Sequence, residues 1–334
     1  MMESEPTLPR RINQLRSEAD AAFAMLAGMQ LDLFTPLKNG PMTAEQIAAA
    51  IGVASTRLRL LLYCLVAAEL LVERDGKFSN SSEANQFLVK GSPAYIGNKH
   101  ASLAHRWSTS LKTAESIRQG GPQAKLDFSN SPPEEVEKFL RSINANTVPA
   151  ALAVLEKYDF SSVKKLMDVG SGGAGLAITI TNAHPQIKAT AIDLPQVAPI
   201  ARKIVSEQGM NDRIDVVAAN VVTDALPRGH DVAVLRGLLQ VLSSEDARLA
   251  VKNIGAALNQ DGKIFIIGQI LDDSRTSPAD AVGFNLAFIN SYDAGESYTE
   301  SEHRAWLTEA GFVDIQRAEF LLDGSGLMTA RKRP

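Results

Sequence analysis

The 334-residue chain has only one cysteine and five histidines. A single thiol excludes an internal disulfide framework and a cysteine-rich zinc site. The histidines (His100, His105, His184, His230 and His303) show no HxH or HxxxH spacing, so no metal site is expected. Cationic residues are not in excess either. There are 34 Lys and Arg against 38 Asp and Glu, a formal net charge of −4, which leaves no broad basic field for nucleic acid or anionic lipid. No apolar run approaches the roughly 20 residues of a spanning helix, and Met1 to Pro9 is polar and acidic. A cytoplasmic protein without membrane contact is the expectation. Internal repeats and low-complexity tracts are lacking too.

The first half has helical periodicity. From Arg11 to Met29, apolar Ile12, Leu15, Ala19, Ala22, Phe23 and Leu26 recur on one face, which needs a partner. Thr43 with Gln46 forms a capping box for a helix ending near Gly52. Ser55 or Thr56 opens the next helix, whose run Leu60 to Val66 contains Cys64, expected as a small buried thiol. Leu70 to Ser79 predicts a hairpin turning at Asp75-Gly76. Two helices and a hairpin make a winged helix, so a DNA-binding regulator has to be weighed. The second helix carries only Arg57 and Arg59, and the wing has mixed charge, a poor DNA reader. A protein–protein role is the expectation.

At Lys164 the pattern changes to strands alternating with helices: Leu166–Val169, Ala189–Asp193, Ile214–Val217, Asp231–Leu235 and Ile264–Ile267. This predicts a mostly parallel sheet with helices on both faces, closed by two further strands around an Asp323-Gly324 turn. The expected organisation is a mainly helical winged-helix dimerisation domain (1–95), a helical linker contributing to an acceptor pocket (96–160), and an α/β Rossmann-like domain (161–334).

The first predicted strand runs into Asp168-Val169-Gly170-Ser171-Gly172-Gly173-Ala174-Gly175, and a helix follows. Glycines at 170, 172 and 175 permit a tight turn and close approach of the backbone to a ligand, with free N–H groups at the helix start. Asp193 ends the second strand, about 20 residues further on, where a carboxylate accepts ribose hydroxyls. Two adenosine ligands suit such a turn, NAD and S-adenosyl-L-methionine (SAM). A dehydrogenase needs a proton donor, and the only Tyr-x-x-x-Lys pattern, Tyr95 to Lys99, precedes the turn instead of following it. Asp168, beside the first glycine, favours SAM, whose ammonium and sulfonium need acceptors.

Asp168-Val169-Gly170-Ser171-Gly172, Ile192-Asp193-Leu194-Pro195, Leu258-Asn259-Gln260-Asp261-Gly262-Lys263, Tyr298-Thr299-Glu300-Ser301-Glu302 and Ala310-Gly311-Phe312 resemble the small-molecule O-methyltransferase family. That family includes the plant caffeate-type enzymes and bacterial natural-product tailoring enzymes. The resemblance spans most of the chain and implies a SAM-dependent methyltransferase. It sets Asp168, Gly170 and Gly172 against the methionine part of SAM, and Asp193 and Leu194 against ribose and adenine. Asn220 and Val221 flank the adenine, and Arg236 lies near the SAM carboxylate. It further implies a homodimer through the N-terminal domain and a small-molecule acceptor.

One departure from the family bears on the chemistry. Deprotonating a phenol of pKa near 10 at pH 7 costs about 4 kcal/mol, and a positioned base supplies roughly 10²- to 10⁴-fold. The family's histidine base aligns with Gln240 of Gln240-Val241-Leu242, and its orienting acids with Gly268 (or Gln269) and Ser297. Glutamine cannot take the proton. The acceptor then needs no deprotonation (a thioether, such as a methionine-derived methylthio acid, is the favoured form, with amine or carbon acceptors as alternatives). Otherwise a relocated base such as His105 serves an O-methyltransferase, or SAM binds without methyl transfer. Trp107, Phe288 and Tyr292 are candidate aromatic walls for a cationic product. Arg106 or Arg141 is a candidate for holding a carboxylate, and Asn144 and Asn290 are further pocket candidates. The expected mechanism is proximity-driven in-line displacement.

Overall fold

The computed structural model describes residues 8–125, 127–128, 130–319 and 325–334, in two compact units that divide between Trp107 and Ser108. Of the stretch 96–160 expected as a helical linker, residues 96–107 fall in the first unit and 108–160 in the second, with the sheet.

The first unit contains α1 (Arg10–Gln30), β1 (Met42–Thr43), α2 (Ala44–Ile51), α3 (Ser55–Ala67), β2 (Leu71–Arg74), β3 (Lys77–Asn80) and α4 (Ser82–Phe87), and α5 (His100–Ser110) begins in it. The Thr43 hydroxyl accepts from the Gln46 N–H while the Gln46 side chain accepts from the Thr43 N–H, so the predicted capping box is present. Gly52 ends α2 in the left-handed conformation. The β2–β3 hairpin turns at Asp75 and Gly76, both at positive φ. Its core gathers Leu33, Phe34, Ile47, Leu62, Leu65 and Phe78. Cys64 is exposed, not buried. In α3 the face through Leu58, Leu62 and Leu65 meets the core, and Leu60, Tyr63 and Cys64 lie on the other side. Ile12, Leu15 and Phe23 of α1 are exposed as well.

The second unit starts with α6 (Thr113–Gln119) and α7 (Pro133–Lys157). Then come β4 (Lys165–Val169), α8 (Gly175–Ala183), β5 (Lys188–Asp193), α9 (Ala198–Glu207), β6 (Ile214–Ala218) and β7 (His230–Arg236). It continues with α10 (Ser244–Ala257), β8 (Leu258–Gly268), β9 (Ile270–Leu271), α11 (Ala279–Ser291), β10 (Tyr298–Thr299), α12 (Glu300–Glu309), β11 (Phe312–Glu319) and β12 (Gly326–Lys332). All five predicted parallel strands are present. The sheet order is β11-β12-β8-β7-β4-β5-β6, with β8 to β6 parallel and the β12 and β11 pairings antiparallel. The expected Asp323-Gly324 turn lies outside the described residues.

Period-2 alternation gives each strand two apolar faces. Leu166, Val232, Val234, Phe265 and Ile267 pack with α7, α8 and α9 on one side. Met167, Ala233, Leu235, Ile264 and Ile266 pack with α10 and α12 on the other. The chain leaves β4 toward β5 and β6, then returns to β7 on β4's opposite flank. Such a switch point opens a crevice at the carboxyl ends of the strands. No single helix among the described residues is long and apolar enough to cross a membrane.

Candidate functional site

The crevice starts at the glycine turn after β4. Gly170 and Gly172 sit at φ +67° and +53°, in the left-handed region that favours glycine. A side chain at Gly170 would also meet Leu238 at 2.9 Å. The N–H groups of Gly170 and Ser171 both donate to the Ile192 carbonyl, fixing the turn to β5. Asn144 of α7 lies against the turn from behind. Its Nδ2 donates to the Gly173 carbonyl at 3.2 Å, and a Cβ at Gly173 would overlap its amide. A pocket candidate from the sequence, Asn144 is thus packed on the glycine turn.

Asp168 is 1% exposed, its Oδ2 accepting from the Ala177 N–H at 3.0 Å. Burial, with the neighbouring Asp193 charge adding to it, pushes this carboxyl up to about 8. A buried carboxyl without a cationic partner among the described residues is a socket for a cationic group. Ser171 Oγ is buried beside it with no hydrogen-bond partner among the described residues. Asp193 is half-buried, and Oδ2 accepts from Gly172 N–H at 2.7 Å while Oδ1 accepts from Leu194 N–H at 2.8 Å. Each oxygen keeps a second lone pair, so the carboxylate holds the turn and still accepts two hydroxyls. Its pKa is raised by burial, against the two backbone bonds.

Asn220, just after β6, uses Oδ1 to accept from Val222 N–H, which leaves its Nδ2 without a partner among the described residues. Val221 is buried, and its carbonyl accepts from Asn253. Arg236 ends β7 and is half-buried.

Gln240 follows β7, two residues past the Leu238 that covers Gly170. Its Oε1 accepts from the Gln269 N–H at 2.7 Å, and Gly268 clears the space: a Cβ there would stand 2.6 Å from that oxygen. Gly295 packs on the backbone of Gln240 and Val241, bringing the Tyr292–Gly295 turn to the same place. Phe284, Phe288 and Tyr292 form an aromatic column along α11, with centroids 5.3 and 6.0 Å apart. Phe288 is buried, and burial raises the Tyr292 phenol. Ser297, at one orienting-acid position, and its neighbour Glu296 have other partners. Ser297 Oγ donates to the Ala281 carbonyl, and Glu296 pairs with Arg275 at 3.2 Å.

Several pocket candidates fare differently. Asn290 is 0% exposed: Nδ2 donates to Thr113 Oγ1 and the Leu286 carbonyl, and Oδ1 accepts from Ser116 Oγ. These bonds clamp α11 to α6 and leave no donor for an acceptor molecule. Arg141 is taken by Glu137 and Glu207. His105, Arg106 and Trp107 belong to the first unit, where Trp107 stacks edge-on against Phe23 at 5.5 Å. His230 and His303 are buried, against Thr190 Oγ1 and the Thr299 carbonyl. No group of His, Cys, Asp or Glu among the described residues is placed to hold a metal ion.

The two units match known families separately: residues 120–313 match an O-methyltransferase domain, and residues 19–90 an O-methyltransferase dimerisation domain. The chain belongs to this O-methyltransferase family. It is a SAM-dependent methyltransferase. It is 28% identical over 312 residues to the 3-hydroxy-5-methyl-1-naphthoate 3-O-methyltransferase of Streptomyces sahachiroi, covering 92% of this chain and 90% of that one. It is 28% identical over 348 residues to the N,N-dimethyltransferase OxyT of Streptomyces rimosus, covering 99% and 100%. To the L-tyrosine C(3)-methyltransferase of Streptomyces lavendulae it is 26% identical over 318 residues, covering 90% and 86%. Among solved structures, the apo SAM-dependent methyltransferase SibL superposes with a TM-score of 0.80 at 26% identity, covering 98% of this chain and 100% of that one. Family members therefore act at oxygen, nitrogen and carbon on one scaffold.

Proposed function

We propose that this O-methyltransferase family member methylates a small molecule whose nucleophilic atom needs no deprotonation by the protein. The observation behind this reading is Gln240: an amide stands where the family resemblance expects a base, and Ser297 and Glu296 are engaged elsewhere. The relatives act at oxygen, nitrogen and carbon, which moves an amine, an electron-rich ring carbon or an already acidified hydroxyl ahead of the thioether expected from sequence. A thioether remains one arm of the test.

Bound SAM supplies an electrophilic methyl on a sulfonium. Asp168 and Ser171 Oγ hold its cationic end, Asp193 takes the ribose hydroxyls, and Asn220 Nδ2 with Val221 flanks the adenine. Arg236 meets its carboxylate. Phe288 and Tyr292 wall the acceptor side. Holding donor and acceptor in line supplies much of the acceleration without a proton transfer. Two copies associate through the exposed apolar faces of α1 and α3, consistent with the dimerisation family that residues 19–90 match.

Incubation with methyl-labelled SAM and a panel of amine, phenol, carbon and thioether acceptors tests this. Label on nitrogen, carbon, sulfur or an acidified hydroxyl, with a rate flat across the imidazole range, is expected. Transfer confined to ordinary phenols, rising with a pKa near 6 to 7, refutes it and points to a histidine base.

A further inference from the structure

The Gln240 amide has two ends, and the fold commits one of them. Oε1 accepts from the Gln269 backbone N–H at 2.7 Å, an arrangement that fits because residue 268 has no side chain. Turning the amide over would set its NH₂ against that N–H, donor against donor. The end left over is Nε2, which has no hydrogen-bond partner among the described residues and lies toward Gly237, 3.7 Å from where a Cβ there would be. The Gln269 side chain is 8% exposed, and its Oε1 is buried without a partner among the described residues.

We infer that Gln240 is a specificity-determining hydrogen-bond donor, selecting methyl acceptors that carry a carbonyl or carboxylate oxygen beside the nucleophilic atom. This rests on the base-free reading above and deepens it. Nε2 has N–H bonds and no lone pair to offer, so a hydroxyl or amine proton aimed at it is repelled, while an oxygen lone pair is held. An oxygen there also orients the neighbouring nucleophile without moving any proton. The methyl–sulfur bond breaks as the new bond to the nucleophile forms. The breaking pair stays on sulfur, and an amine acceptor then releases its surplus proton to water. An acceptor lacking the oxygen forgoes this hydrogen bond, a loss of about tenfold in affinity.

Ligand-detected NMR on the full-length protein saturated with S-adenosylhomocysteine tests this with matched probes. These are ortho-aminoacetophenone against ortho-ethylaniline, and salicylate against ortho-cresol. The oxygen-bearing member of each pair is expected to bind about tenfold more tightly. Gln240→Glu preserves an oxygen for Gln269 N–H and removes the donor, and Gln240→Met removes both polar ends at similar volume. Both variants should lose the preference while binding S-adenosylhomocysteine normally. Equal binding within each pair, a preference surviving in both variants, or no binding by any probe overturns the inference. The base-free reading fails separately, through the labelled-transfer pH profile.

Discussion

Replacing Asp168 by Asn should make the ligand-free protein more stable and the SAM complex weaker. The carboxyl has an ordinary value near 4 and is pushed up to about 8 in the fold by burial, with Asp193 adding to it. Between those values the folded chain holds a proton that the unfolded chain has released. This raised pKa therefore contributes stability below pH 4 that is lost as pH rises toward 8. From pH 4 to 7 the loss is at most about 4 kcal/mol, at about 1.36 kcal/mol per pKa unit. Relaxation and water access around the carboxyl bring the measurable difference to ~2 kcal/mol. Asparagine stays neutral, keeps an oxygen for Ala177 N–H, and escapes the loss. The variant should match wild type near pH 4 and melt about 4–8 °C higher at pH 7 to 8 without ligand. With SAM the order reverses, because the bound cation draws Asp168 to its ionised form. SAM affinity should fall roughly 10- to 100-fold in the variant. Wild type should release protons on binding at pH 7, at most about 0.9 per site for a folded value of about 8. Thermal unfolding across pH and calorimetry in two buffers of different ionisation enthalpy measure both. An unliganded variant that melts no higher than wild type at pH 8, or SAM binding without proton release, refutes the argument.

Gly173→Ala places a methyl against the Asn144 amide and should weaken SAM binding about tenfold, with Asn144→Gly restoring most of the loss. The double-mutant cycle should show coupling of at least ~1 kcal/mol, and strict additivity would count against the contact. Asn290→Leu removes three buried hydrogen bonds, to Ser116 Oγ, Thr113 Oγ1 and the Leu286 carbonyl, and should lower stability by about 2–4 kcal/mol while leaving SAM affinity intact. A changed SAM Kd without a change in Tm would assign Asn290 to the site instead. Leu60→Glu puts a charge on an apolar side chain that is 62% exposed in the single chain. Sedimentation should show a shift from dimer toward monomer with unchanged circular dichroism, and a stable dimer would place the interface elsewhere.

Local pattern was legible along much of the chain because it depends on neighbours a few residues away. The Thr43 capping box, the Asp75-Gly76 turn and the five parallel strands all follow from short-range periodicity and backbone preference. So does the glycine turn beside Asp168, since strand, glycines and helix are contiguous. Helix faces were harder where apolar residues run all round. α3 has leucines on several sides, so periodicity did not reveal that Leu58, Leu62 and Leu65 turn inward and leave Cys64 in solvent.

By itself the sequence determined the fold class, the cofactor turn and the absence of a histidine at position 240. Tertiary structure alone decided what several polar side chains do. Asn290 looked like a pocket residue until α6, 174 positions away in sequence, supplied Ser116. Asn144 was an acceptor candidate until α7 brought it against the cofactor turn. Gln240 showed only that a base was missing. The direction of its amide depends on Gly268 and the Gln269 N–H at the end of the neighbouring strand β8. Each hydrogen bond needs its partner within about 3 Å, and strand order, not proximity along the chain, sets that distance here.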